Sequence, residues 1–149
     1  MRSKPKDEKE VILAGAMNIF FEAMLMEKLG SGRALAVGHY RLVKFNQVTS
    51  LSGYVQGGVT ISFDSKPIWQ MTYEGHYPKE VLPFLKEVLS ATYLLSEFWG
   101  GRGPFRYRLG NMEYRNSAEN GSFEKFHGRE QIIVGENEVG HVTFSGGII

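Results

Sequence analysis

Displacing the chain by 71 positions lays Gly57, Ile61, Thr72 and Gly75 on Gly128, Ile132, Thr143 and Gly146. The neighbours match in kind: Phe63 meets Val134, Ile68 meets Val139, Met71 meets Val142 and Tyr73 meets Phe144. Each half therefore carries a hairpin whose last strand ends in aromatic, polar, glycine. Two copies are too few for a solenoid, in which each repeat leans on stacked neighbours. A chain of 149 residues has room for one ordinary domain. The repeat thus predicts one domain over residues 1–149 in which two related units share a core, with residues 1–7 disordered.

A helix opens each unit. From Glu8 to Leu29, Ile12, Ala16, Ile19, Ala23 and Met26 recur at spacings of one helical stripe, and Gly30-Ser31-Gly32 ends the run. Phe20, Phe21, Met24 and Leu25 widen the apolar surface, so this helix needs cover on more than one side, from a sheet or from a second copy. Strand-like segments follow: Tyr40, Leu42 and Phe45, then Val48 to Val55, Val59 to Phe63 and Ile68 to Tyr73, with a turn at Asp64-Ser65-Lys66-Pro67. Val81, Phe84, Leu85, Val88, Leu89 and Thr92 mark a second helix over Lys79 to Glu97, with Pro83 in its first turn. The rest reads as strands again: Phe105 to Leu109, Met112 to Asn116, Phe123 to Phe126, Gln131 to Val134 and Val139 to Phe144. The expected class is α+β: a twisted, mostly antiparallel sheet built from two related β-hairpin units, with two helices packed on one face.

With no cysteine, the core must hold itself together without disulfides, and thiolate metal sites and a cysteine nucleophile are excluded. A hydrophobic share of 42% suffices for that. The net charge of +1 supplies no field that favours nucleic acid or an anionic membrane. The charged start and the apolar Val11 to Met17 superficially suggest a signal peptide. Asn18, Glu22, Glu27 and Lys28 interrupt that stretch, however, and no cleavage pattern follows, so a cytoplasmic protein is expected.

Several motifs together carry a resemblance. Pro67 to Gly75, Phe84-Leu85-Lys86-Glu87, Arg102-Gly103-Pro104, Gly121 to Ile132 and the terminal Phe144-Ser145-Gly146-Gly147-Ile148 make the chain from about Ile19 onward resemble a bacterial domain of unknown function. That domain is often found C-terminal to helix-turn-helix modules in transcriptional regulators. The resemblance implies no catalytic residues. No helix-turn-helix pattern precedes the domain in these residues, and Thr72 stands where the family usually shows Asn, so direct DNA reading is not expected.

Candidate chemistry is sparse. His39, His76, His127 and His141 are scattered without ligand spacing, and no metal or cofactor is expected. His127 can meet Glu130 if Phe126 to Glu130 is a turn, which would make them an acid-base pair. Gly100-Gly101-Arg102-Gly103 lacks the ending of a phosphate loop and reads as a flexible connector. Neither Ser52 nor Ser145 sits in a nucleophile elbow. The aromatics offer more. Trp69 and Tyr73 share one sheet face with Met71 by alternation, and with Tyr54, Tyr114 and Phe126 they could line a cleft rimmed by Arg106, Arg108, Arg115 or Glu130; core packing under a helix explains the same pattern. The expectation is a non-catalytic ligand-binding or regulatory module whose ligand, small molecule or protein, is unidentified. The alternatives are a small enzyme using His127 and Glu130 on an anionic substrate, or a homodimer formed through the first helix.

Overall fold

The computed structural model describes residues 7–25, 33–49 and 51–149. Met26 and the helix end expected at Gly30 to Gly32 lie outside these residues, as does the leader through residue 6. Asp7 caps the first helix: its carbonyl accepts the Val11 amide at 3.1 Å and its carboxylate accepts the Lys9 amide at 3.4 Å.

The first unit consists of helix α1 (Glu8–Leu25) and strands β1 (Arg33–Val37), β2 (Tyr40–Val48), β3 (Tyr54–Phe63) and β4 (Lys66–His76). The second repeats it, with a single 3-10 turn (Lys79–Val81) leading into α2 (Leu82–Leu94), then β5 (Arg106–Leu109), β6 (Met112–Ser122), β7 (Lys125–Val134) and β8 (Asn137–Ile148). The strands form one sheet in the order β1-β2-β3-β4-β8-β7-β6-β5, and every neighbouring pair is antiparallel. Each unit is a four-stranded meander, which short turns allow because consecutive strands run in opposite directions. No helix among the described residues is long and apolar enough to cross a membrane.

The repeat explains how the halves join. β4 and β8 pair so that Tyr73 lies opposite Phe144, and these two are equivalent positions of the two units. A local two-fold axis therefore passes between them. The repeated glycines make room for these rings. A Cβ on Gly57 would collide with the Tyr73 ring, and one on its equivalent Gly128 would meet the Phe144 ring and the Ser117 carbonyl.

One face of the sheet is covered by both helices. Ala16, Ile19, Phe20, Phe21 and Ala23 of α1 are buried, as are Phe84, Leu85, Val88 and Tyr93 of α2. Phe20 meets Trp69, Tyr93, Phe98 and Phe123 edge-on. Of the surplus apolar surface of α1, Phe20 and Phe21 are thus covered within the chain, whereas Leu25 remains 40% exposed.

Three local expectations need correction. Thr49 and residues 51–53 are not strand but turn: the Gly53 amide bonds the Thr49 carbonyl at 3.0 Å, and Gly53 has a positive φ of 71°. Phe123 and Glu124 form the β6–β7 turn, whereas residues 126–130, read as a turn, lie within β7. The second helix ends at Leu94, short of Glu97.

Candidate functional site

The covered side of β7 holds a residue that the apolar pattern does not anticipate. Glu130 falls in line with Phe126 and Ile132, because alternate residues of a strand share a face, and it is fully buried. A buried carboxylate must have its lone pairs satisfied. Here four donors do so. The Tyr77 hydroxyl reaches Oε1 at 3.2 Å and the Tyr114 hydroxyl reaches Oε2 at 2.9 Å. The Arg102 guanidinium spans both oxygens, with Nε 3.3 Å from Oε2 and Nη2 bonded to Oε1. Arg102 also lies 4.2 Å from the centre of the Tyr73 ring, and Tyr73 donates to Asn46 Oδ1 at 2.9 Å.

Arg102 comes from the segment expected to be a flexible connector; it does connect α2 to β5, and it is packed against the sheet. Gly100 to Gly103 are buried, and the Asn116 amide donates to the carbonyls of Gly100 and Gly103 at 2.7 and 3.1 Å. Gly100 and Gly101 take φ of 94° and 70°, so the backbone turns down onto the sheet where a side chain would be strained. Burial opposes the charge on Arg102, but Glu130 outweighs it and holds the guanidinium well above its ordinary pKa.

Burial first, and for Tyr77 and Tyr114 the Glu130 charge second, pushes the phenols of Tyr73, Tyr77, Tyr93 and Tyr114 above their ordinary value of 10.0. A raised folded pKa means the folded chain keeps protons that the unfolded chain releases. This contribution is complete below about pH 10 and is lost as pH rises, by about 1.4 kcal/mol per pH unit for each such proton. Burial and then Arg102 lower Lys44, which opposes this trend by at most one proton. Cooperative alkaline unfolding above about pH 10 is expected, with the phenolate absorbance of these tyrosines appearing only as circular dichroism is lost. Titration of all four near pH 10 with the fold retained would contradict it.

The other residues singled out from sequence do not converge. His127 and Glu130 are separated by an odd number of strand positions and project to opposite faces, so they cannot act as a pair. His127 instead bonds Glu119 at 2.9 Å on the exposed face. Trp69, Tyr73, Tyr114 and Phe126 are buried in the helix-side core. Tyr54 and Arg106 lie on the opposite face, where Tyr54 donates to Glu74 and Arg106 pairs with Glu113. No group of three potential metal-binding side chains converges among the described residues.

The face not covered by helices carries a cavity of about 480 Å³ across β2, β3, β4 and β8. Alternation places Phe45, Gln56, Thr72, Glu74, Thr143 and Ser145 on this side. Thr72 and Thr143 are repeat equivalents, so the cavity lies over the local two-fold. Glu74 is oriented by the Tyr54 hydroxyl, 3.0 Å from Oε2, and that carboxylate first raises the Tyr54 phenol, with burial contributing next. Phe45 lies over Gly58, where a Cβ would be 2.9 Å from the ring.

A family model described as a domain of unknown function, DUF5680, matches residues 52–149. The chain belongs to the DUF5680 family. The DUF5680 match covers β3, β4 and the whole second unit, including the Arg102–Glu130 cluster and every cavity residue named above except Phe45. A comparison with curated proteins gives no match, and neither does one with solved structures.

Proposed function

We propose that this DUF5680 domain is a ligand-binding module whose small-molecule ligand occupies the cavity on the free face of the sheet. The cavity carries the reading. Its volume of about 480 Å³ falls within the roughly 300–1,000 Å³ common for small-ligand sites, and short hydroxyl side chains leave its floor accessible. Its walls stand on central strands whose other face is packed in the core, which provides the rigid platform a selective site needs. The resemblance to domains that follow helix-turn-helix modules favours a regulatory output, with ligand occupancy as the signal. The cysteine-free composition agrees with a cytoplasmic setting.

Thr72→Trp tests the site, because the bulk enters the cavity from the solvent side and leaves the core untouched. In a thermal-shift screen against metabolites, a ligand at a hundred times its Kd should stabilise the wild type by about 2.7 kcal/mol. For a domain of this size that is about 2–4 °C per kcal/mol. The variant should melt within a few degrees of wild type and lose the shift. A ligand whose shift survives Thr72→Trp would place binding elsewhere.

A further inference from the structure

Resting on the binding reading above, we infer that the ligand class is a saccharide, laid across β2 to β8 with a ring face on Phe45 and hydroxyls toward Gln56, Glu74, Thr72, Thr143 and Ser145. The side chains that alternation turns toward the cavity are polar but almost uncharged: one amide, three hydroxyls and a single carboxylate accompany the Phe45 ring. An apolar ligand would leave these groups desolvated and unpaired, at a cost for each. A phosphate or carboxylate would meet Glu74, the only carboxylate in the lining, as a like charge.

A sugar supplies what this lining lacks. Each of its hydroxyls both donates and accepts, which suits a mixture of hydroxyl, amide and carboxylate partners. Its ring also has an apolar face of C–H groups, complementary to the negative face of an aromatic ring. Phe45 is 42% exposed, which leaves its ring accessible, and it rests on Gly58 where a Cβ would press against it. Glu74 is oriented in advance: among the described residues the Tyr54 hydroxyl is the only group bonded to its carboxylate, through Oε2, which leaves Oε1 to accept from a ligand.

An organic cation would also favour an aromatic ring and a carboxylate, but it needs them to converge. Here they are on β2 and β4 with β3 between them, a spacing of roughly 10 Å at the backbone. The Phe45 ring leans over Gly58 of β3, one strand from Glu74, so what disfavours a cation is the surrounding amide and hydroxyls, which a point charge would leave unpaired. Those further polar partners fit a ring with several hydroxyls, or two linked rings, better than a point charge.

The test is NMR titration of the whole chain with methyl glucoside, methyl galactoside, methyl mannoside, N-acetylglucosamine, cellotriose, maltotriose and chitotriose. Tetramethylammonium, spermidine and inorganic phosphate serve as controls. At least one saccharide should shift resonances of Gln56, Thr72 and Thr143, and Phe45→Ala and Glu74→Gln should each weaken it at least tenfold while melting close to wild type. If tetramethylammonium or spermidine binds in a Glu74-dependent way and no saccharide does, the class assignment is overturned and the cavity reading stands. Saccharide binding indifferent to Phe45→Ala, Glu74→Gln and Thr72→Trp would overturn both. A panel that leaves the spectrum unchanged at millimolar saccharide overturns the assignment, with the metabolite screen deciding separately on the cavity.

Discussion

Glu130→Ala is expected to cost about 3–5 kcal/mol of stability, whereas replacing the pair jointly, Glu130→Val with Arg102→Met, should recover much of that loss, the remainder being the Tyr77 and Tyr114 hydroxyls left without an acceptor. The asymmetry follows from burial. Removing the carboxylate alone leaves the Arg102 guanidinium enclosed without its counter-charge, and it strips Tyr77 and Tyr114 of their acceptor. Removing both charges also removes the desolvation that their attraction had to offset. The first unit provides an internal control: the position equivalent to Glu130 is Val59, buried opposite Met71 as Glu130 is opposite Val142. One copy of this architecture therefore packs with an aliphatic residue at that site. Urea denaturation of wild type, both single variants and the double variant yields the coupling energy directly. If the double variant is as unstable as the sum of the singles, the cluster is not behaving as a charge pair.

The same comparison shows what was legible in the chain. The repeat carried the architecture because its matches fall where geometry leaves no choice: Gly57 and Gly128 under the aromatic rings, Ile61 and Ile132 in the core. The helices were legible because burial imposes a 3.6-residue period on Ala16, Ile19 and Ala23, and on Phe84, Leu85 and Val88. Glu130 was also within reach. Phe126, Gly128, Glu130 and Ile132 alternate as a strand does, and reading that register instead of a turn would have put the carboxylate inward and His127 outward. Its partner was not, since Arg102 reaches Glu130 from a loop 28 residues away and no local pattern encodes that pairing. The cavity was hidden for the same reason: its residues come from four strands and form no contiguous motif. Alternation did show that Trp69, Met71 and Tyr73 share a face, but not that the helices cover it.

That last distinction makes Trp69→Ala decisive. As part of an open aromatic face, Trp69 could be removed with loss of binding and little loss of stability. In the structure it is fully enclosed, stacked on Phe123 with ring centres 4.5 Å apart, met edge-on by Phe20, and bonded through Nε1 to the Phe123 carbonyl at 2.7 Å. Truncation therefore opens a cavity and leaves a buried carbonyl without its donor, a combined loss of about 3–5 kcal/mol or more. At about 2–4 °C per kcal/mol, the melting temperature should fall by roughly 6–20 °C. Trp69→Phe keeps most of the apolar contact but not the hydrogen bond, and should lie between the two. Fluorescence offers an independent check, because the only other tryptophan, Trp99, is 46% exposed. Acrylamide should quench Trp99 readily, and in a Trp99→Phe background the remaining emission should be blue-shifted and shielded. A Trp69→Ala protein that melts like wild type, or a Trp69 readily quenched in the native state, would return this residue to an accessible face and displace the binding site from the polar side of the sheet to the aromatic one.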